Sequence, residues 1–167
     1  GREGAAVVLL ARRQDRLVTL QKRLESQGIR CLVSVADVTH IGSLQQAFKD
    51  TVLKFGRLDI VVAKAGFAVM GPTETLTPED YQRQFDTNIF GVLNTLSASR
   101  SFLQSAGGQF VIVGSVNSYV GLEGVSPYVM SKFAVRGLAE CLHFELRSVG
   151  ISTTFIAPGF VESEIRQ

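Results

Sequence analysis

The sequence predicts a doubly wound α/β fold, a parallel sheet covered by helices on both faces. Three observations carry the prediction. Short apolar runs alternate along the chain with longer stretches whose apolar residues recur at helical spacing. The runs are apolar throughout, as strands buried on both faces are, and do not alternate apolar with polar. Helix caps and glycines mark several of the changes from one kind of segment to the next. A chain of 167 residues, 46% hydrophobic and 19% charged, can bury a sizeable core and suits one domain spanning residues 1–167.

Val7 to Leu10 is the first apolar run. Gln14 to Gln27 follows with Leu17, Leu20 and Leu24 on one helical face, and Gly28 stops it. Cys31 to Val35 is a second strand, and a helix from about Gly42 to Phe55 carries Leu44, Ala47, Phe48, Val52 and Phe55 on one side. Asp59 to Ala63 is a third strand. Thr77-Pro78-Glu79-Asp80 then opens a helix with a Thr cap, Pro in the first turn and acids where the helix dipole favours them. That helix is expected to run to about Ser105. The strand 109–113, a helix from about Pro127 to Ser148 and the strand 151–157 complete the alternation. No internal repeat, low-complexity tract or linker interrupts it.

A net charge of +2 gives no reason to invoke nucleic acid or an anionic membrane surface, and no apolar run approaches the roughly 20 residues of a membrane span. No signal peptide is visible. Cys31 and Cys141 lack metal-ligand spacing and read as buried small hydrophobes in a reducing, cytoplasmic setting. No metal site is expected.

The chemistry concentrates near the end of the chain. Tyr128 and Lys132 lie four residues apart on one helix, with Ser115 thirteen residues upstream. Residues at i and i+4 share a helix face, so the phenol and the ammonium can enter one cleft. A unit positive charge about 4 Å away, at an effective dielectric of about 20, favours the phenolate by roughly 4 kcal/mol. That makes the phenol a proton donor and acceptor suited to neutral pH. Ser115 supplies a hydroxyl able to hold a substrate oxygen beside it.

The setting strengthens this reading. Asn88 lies in Asp86-Thr87-Asn88-Ile89-Phe90-Gly91, Ser115 ends the strand Phe110-Val111-Ile112-Val113-Gly114-Ser115, and Tyr128 opens Tyr128-Val129-Met130-Ser131-Lys132. Pro158-Gly159 follows the next apolar run. In this order and spacing the chain resembles the classical short-chain dehydrogenase/reductase family over essentially its whole length, with that family's Asn, Ser, Tyr and Lys tetrad at Asn88, Ser115, Tyr128 and Lys132.

The resemblance implies a Rossmann-like, three-layer fold and hydride transfer between a nicotinamide cofactor and a carbonyl or secondary alcohol. Tyr128 would be the acid-base group and Ser115 would position the oxygen. Lys132 would assist Tyr128 and bind the nicotinamide ribose. Asn88 would kink its helix through a backbone carbonyl and hold a water in a relay to Lys132. Asp37-Val38 matches the family's adenine-contacting pair, although Asp37 equally suits an Asx turn at a strand end. Ala65-Gly66 retains the close-approach turn after the strand ending at Ala63. Pro158-Gly159 matches the nicotinamide-amide turn, and Ser163 falls where the family usually has Thr.

Cofactor choice turns on residues 11–13. The resemblance makes Val7 to Leu10 the family's second strand, and in dinucleotide folds an acid after that strand holds the ribose 2′-hydroxyl, while Arg accommodates a 2′-phosphate. Here that position is Ala11, and Arg12-Arg13 follow at once. Arg's planar fork suits phosphate, so NADP(H) is expected over NAD(H).

Departures accompany the resemblance. No Gly-x-x-x-Gly-x-Gly occurs, Gly1 to Ala5 reads as the tail of the helix that should follow such a turn, and the substrate-covering segment beyond Ser163 is missing. The sequence is therefore expected to lack the family's first strand and its C-terminal substrate segment. The family's Asn-Asn-Ala-Gly stands here as Ala63-Lys64-Ala65-Gly66. Substrate leaning is toward a hydrophobic carbonyl or alcohol. Two alternatives stay open: a non-catalytic NADP(H)-binding sensor or regulator on the same fold, and a sugar-nucleotide epimerase relative. Phe90, Leu93, Phe102, Leu103, Phe144 and Leu146 read as outward-facing, which with the family's habit predicts a homodimer or homotetramer.

Overall fold

The computed structural model describes residues 1, 3–159 and 161. Its strands are all parallel and form two sheets. In the first, β1 (Val7–Ala11) pairs with β2 (Cys31–Val35), placing Val7 opposite Cys31 and Ala11 opposite Val35. In the second the order is β3 (Ile60–Ala63), β4 (Gln109–Val113), β5 (Ser152–Ile156). Ala63 stands opposite Ile112, and Val113 opposite Ile156. No ladder joins the two sheets; a groove of about 1040 Å³ lies between them, walled by residues of β1 and β3. The expected doubly wound sheet is thus present in two parts, with the gap where a first strand would stand.

The helices are α1 (Gln14–Glu25), α2 (Ile41–Phe55), α3 (Pro78–Phe85), α4 (Gly91–Ala106) and α5 (Ser126–Arg147). Thr77 caps α3 as expected: its hydroxyl accepts from Asp80 N–H at 3.4 Å, and the Asp80 carboxylate accepts from Thr77 N–H at 3.1 Å. The expected single helix to Ser105 is corrected. A π-turn, Asp86–Phe90, separates α3 from α4, and Gly91 N–H reaches back five residues to the Asp86 carbonyl.

One core joins α2, α4 and α5 to the second sheet. Phe110 and Ile112 of β4 are completely buried, with Leu44 and Phe48 of α2, Leu103 of α4 and Val135 and Leu146 of α5 around them. A fully buried side chain of this size contributes about 1.5–3 kcal/mol. On β3 the alternation is clean: Val61 and Ala63 enter the core, while Ile60 and Val62 on the other face are more than half exposed. Gly91 lets α4 close on the loop after β2, since a Cβ there would lie 2.6 Å from a Val38 methyl.

Two burial expectations are corrected. Leu103 and Leu146 belong to the core and Phe102 packs against it, so only Phe90, Leu93 and Phe144 of the six face outward. The helical phase explains this, because the inner faces of α4 and α5 are wider than the sequence pattern suggested. Cys31 is buried as expected, but Cys141 is exposed on the outer side of α5, and both are free thiols. No helix among the described residues is long and apolar enough to cross a membrane.

Candidate active site

The expected tetrad residues gather at the C-terminal ends of β3 and β4, where a parallel sheet exposes its strand-following loops. Ser115 leaves β4 fully extended and starts a short 3₁₀ turn, Val116–Ser118. Its hydroxyl oxygen accepts from Asn117 N–H at 3.1 Å, and its own N–H donates to the Ser118 hydroxyl at 3.2 Å. The oxygen is therefore held in place while the hydroxyl proton is left to another acceptor. The segment after β5 runs alongside, with Val116 N–H donating to the Pro158 carbonyl at 2.9 Å. Pro158 and Gly159 thus sit beside Ser115; Ser163 lies outside the described residues.

Helix α5 packs on this turn and carries Tyr128, half-buried, and Lys132, only 6% exposed. The Lys132 ammonium donates to the Val113 carbonyl at 3.0 Å, two residues before Ser115, and stands 5.6 Å from the centre of the Tyr128 ring. Burial first, then the charge of Lys64, pushes the Lys132 pKa down to about 8.

Asn88 sits on the π-turn, 1% exposed, and none of its side-chain donors and acceptors is wasted. It accepts from Phe67 N–H at 3.2 Å and donates to the Phe67 carbonyl at 3.1 Å and to the Ser131 hydroxyl at 3.0 Å. Ser131 in turn donates to the Tyr128 carbonyl at 2.7 Å. Asn88 therefore locks the loop after β3 to the first turn of α5. Gly66 belongs to this joint: a Cβ there would lie 3.0 Å from the Asn88 side-chain amide oxygen, a tight contact that would press on the Asn88–Phe67 bonds.

Four positioning residues escaped the sequence reading. Gln84 is fully buried; it accepts from Val69 N–H at 2.8 Å and donates to the Phe67 carbonyl at 2.6 Å. Tyr81 and Ser126 share a hydrogen bond of 2.7 Å that ties α3 to the start of α5. Ser131 is the fourth. The available signal was a polar stripe at 81, 84 and 88 on one face of a helix, which only burial distinguishes from a solvated face.

At the other end of the site the groove is lined by Arg12, Arg13, Asp37, Val38, Ala65 and Gly66. One Asp37 oxygen accepts from both the Thr39 N–H and the Thr39 hydroxyl at 2.9 Å, the Asx-turn geometry, and the other faces Arg12 at 3.8 Å. Burial opposes the Asp37 charge, but the Thr39 bonds, Arg12 and His40 together hold its carboxyl below the usual carboxylate range. The Arg12 side chain is 65% exposed, and such a loose pair contributes only about 0–1 kcal/mol, so the guanidinium is easily diverted to another anion. The exposed cations Arg12 and Arg13, the Asp37 acceptor and the Ala65-Gly66 turn are residues whose chemistry would fit the phosphate and adenine parts of a nicotinamide dinucleotide; Lys132 does not line this groove. No group of three or more His, Cys, Asp or Glu side chains suited to a metal occurs among the described residues.

Comparison with known proteins agrees with this geometry. Residues 1–167 match the family described as short chain dehydrogenase. The chain belongs to that family. Its fold is that of short-chain dehydrogenase structures: a gluconate 5-dehydrogenase from Burkholderia cenocepacia, crystallised with NADP and tartrate, superposes with a TM-score of 0.91 at 28% identity, covering 98% of this chain and 65% of that one. An alcohol dehydrogenase from Thermococcus sibiricus, complexed with 5-hydroxy-NADP, gives 0.89 at 29% identity over 97% and 68%. Among curated relatives, an A-factor type gamma-butyrolactone 1′-reductase of Streptomyces virginiae is 39% identical over 98% of this chain and 65% of its own length. A 3-ketodihydrosphingosine reductase of Bacteroides thetaiotaomicron is 31% identical over 87% and 55%. This short-chain dehydrogenase sequence thus spans about two thirds or less of the relatives it matches. The family is one of oxidoreductases, and this chain carries the oxidoreductase fold.

Proposed function

We propose that this chain is the dinucleotide-binding and catalytic part, one domain over residues 1–167, of an NADP(H)-dependent oxidoreductase. It would interconvert a carbonyl and a secondary alcohol on a hydrophobic small molecule in the cytoplasm. The observation that carries the proposal is the pairing of Tyr128 with a buried Lys132 at the end of the strand that delivers Ser115. Two relatives named as reductases support the reaction class, and two neighbouring structures with NADP or 5-hydroxy-NADP support the cofactor.

When bound, the nicotinamide supplies or takes the hydride. Arg12 and Arg13 would hold the 2′-phosphate, Asp37 and Val38 would border the adenine, Ala65 and Gly66 would let the backbone approach, and Pro158 and Gly159 would hold the nicotinamide end; Ser163, expected there from the resemblance, lies outside the described residues. In the reductive direction Tyr128 gives its phenolic proton to the carbonyl oxygen, and in oxidation it takes the alcohol proton. Ser115 donates its free hydroxyl proton to the same oxygen and fixes it beside the phenol. Lys132, beside the phenol ring, would hold the nicotinamide ribose. Asn88, whose side chain is committed to Phe67 and Ser131, acts by holding the site together and offers its backbone carbonyl to a relay water. Full-length protein is expected to oxidise NADPH with members of a panel of hydrophobic ketones. No turnover with any ketone, together with tight NADPH binding, would favour a sensor and overturn the enzyme reading.

Assembly belongs to the same proposal. Phe90 is 48% exposed and Phe144 75%, with Leu93 beside them in exposure, on the helices that carry Asn88 and Tyr128. A second copy covering these side chains gives a homodimer or homotetramer. Light scattering on the full-length protein at micromolar concentration should return a multiple of the protomer mass; a strictly monomeric mass would contradict this.

A further inference from the structure

Helix α5 begins without a side-chain cap. Val125 stands at the cap position and cannot bond the first N–H groups through its side chain. Tyr128 is the third residue of the helix, inside that first turn. First turns fray, because their N–H groups find no partner within the helix. The phenol therefore stands on the part of α5 that helix formation itself secures least. Pro127, fully buried, anchors the turn at one point, and its orientation has to come from contacts with other elements.

Two hydrogen-bonded ties reach the turn. One runs from Asn88 through Ser131 to the Tyr128 carbonyl. The other joins the hydroxyls of Tyr81 and Ser126, 2.7 Å apart although forty-five residues separate them in the chain. Ser126 is the first residue of α5, two before Tyr128. Tyr81 is itself held firmly. The Thr77–Asp80 capping box locks the start of α3, the Tyr81 ring meets the Phe85 ring edge-on at 6.4 Å between centroids, and Gln84 ties α3 to the loop at Phe67 and Val69. We propose that Tyr81 is a positioning residue of the reaction: through Ser126 it holds the uncapped first turn of α5 in the orientation that presents the Tyr128 phenol to the substrate oxygen. The proposal rests on the oxidoreductase reading of Tyr128. Tyr81 passes no proton and no hydride; it supplies a fixed point on a second helix where α5 lacks a cap of its own.

The test uses Tyr81→Phe, Ser126→Ala and the double variant of the full-length protein. Each single change removes one oxygen, and Phe keeps the ring against Phe85, so the fold is retained. A neutral hydrogen bond is worth about 2- to 13-fold in an equilibrium, and small displacements of a reacting group cost rate steeply. Each single variant should therefore lower kcat for ketone reduction by about 3- to 10-fold, with NADPH affinity close to wild type. The double variant should fall no further than the lower single, because both changes break one bond. Tyr128 is followed directly by NMR of isotope-labelled tyrosine without cofactor, its ring signal assigned with Tyr128→Phe. That signal should shift or broaden in Ser126→Ala, where no tyrosine has been replaced, and in Tyr81→Phe. Wild-type kcat and an unmoved Tyr128 signal in either folded single variant overturn the proposal. So do losses that multiply in the double variant, since each side chain would then act alone. Because the ring signal needs no turnover, a failure of the oxidoreductase reading would show separately, as a moved Tyr128 signal in a protein that turns over no ketone.

Discussion

Tyr128→Phe in the full-length protein is expected to abolish ketone-dependent NADPH oxidation while leaving the fold and NADPH affinity close to wild type. The phenyl ring keeps the half-buried packing of Tyr128 and its place beside the Lys132 ammonium, 5.6 Å from the ring centre. Only the proton donor is lost. General acid-base catalysis contributes about 10²- to 10⁴-fold, and no other phenol, imidazole or carboxylate bonds to Ser115 or Lys132 among the described residues to replace it. The measurement is the steady-state rate against a reactive ketone, beside a thermal melt and an NADPH titration. A variant that keeps more than half the wild-type rate would remove Tyr128 from the reaction. A Ser115→Ala protein should lose less, because the developing oxyanion keeps the tyrosine proton.

The nearness of Tyr128 and Lys132 was legible in the sequence because they are local: one helical turn relates them whatever else the chain does. The strands were legible for a similar reason, since a parallel sheet writes itself as short uninterrupted apolar runs. Register was not, because it depends on residues far apart in the chain. The gap between the two sheets agrees with the expected lack of the family's first strand, which the resemblance implied and no single strand announces. Helix continuity failed at Asp86–Phe90 because the π-turn is stabilised by contacts across the fold, with Asn88 bonded to Phe67 and Ser131 twenty-one and forty-three residues away. Leu103 and Leu146 were misread for want of a helical phase, and Cys141 for the opposite reason, a small apolar residue taken as inward. Gln84 shows the limit most clearly. A glutamine in a polar helix gives no hint that it is fully buried and holds the loop at Phe67 and Val69.

Replacing both Arg12 and Arg13 by Ala is expected to weaken NADPH binding by about 10- to 150-fold while changing NADH affinity little. The figure follows from hydrogen bonds to a charged group, each contributing about 1.5–3 kcal/mol. Both arginines lie at the end of β1 and the start of α1, on the lip of the groove, and both are exposed. Arg13 is the residue before the first turn of α1, and its side chain does not cap that turn. Arg12 has only the loose contact with Asp37 to lose, and Asp37 keeps its two Thr39 hydrogen bonds without it. The protein should therefore stay folded, and the effect should fall on the ligand. The double variant is preferred because either arginine can cover part of the phosphate for the other. Titrating NADPH and NADH against wild type and the double variant of the full-length protein decides the matter, and the expected result is a collapse of the NADPH-to-NADH affinity ratio that deepens at low salt, where phosphate contacts are strongest. An unchanged ratio would mean that the two cations are a solvated pair, and the preference for NADP(H) would have to be sought in other residues.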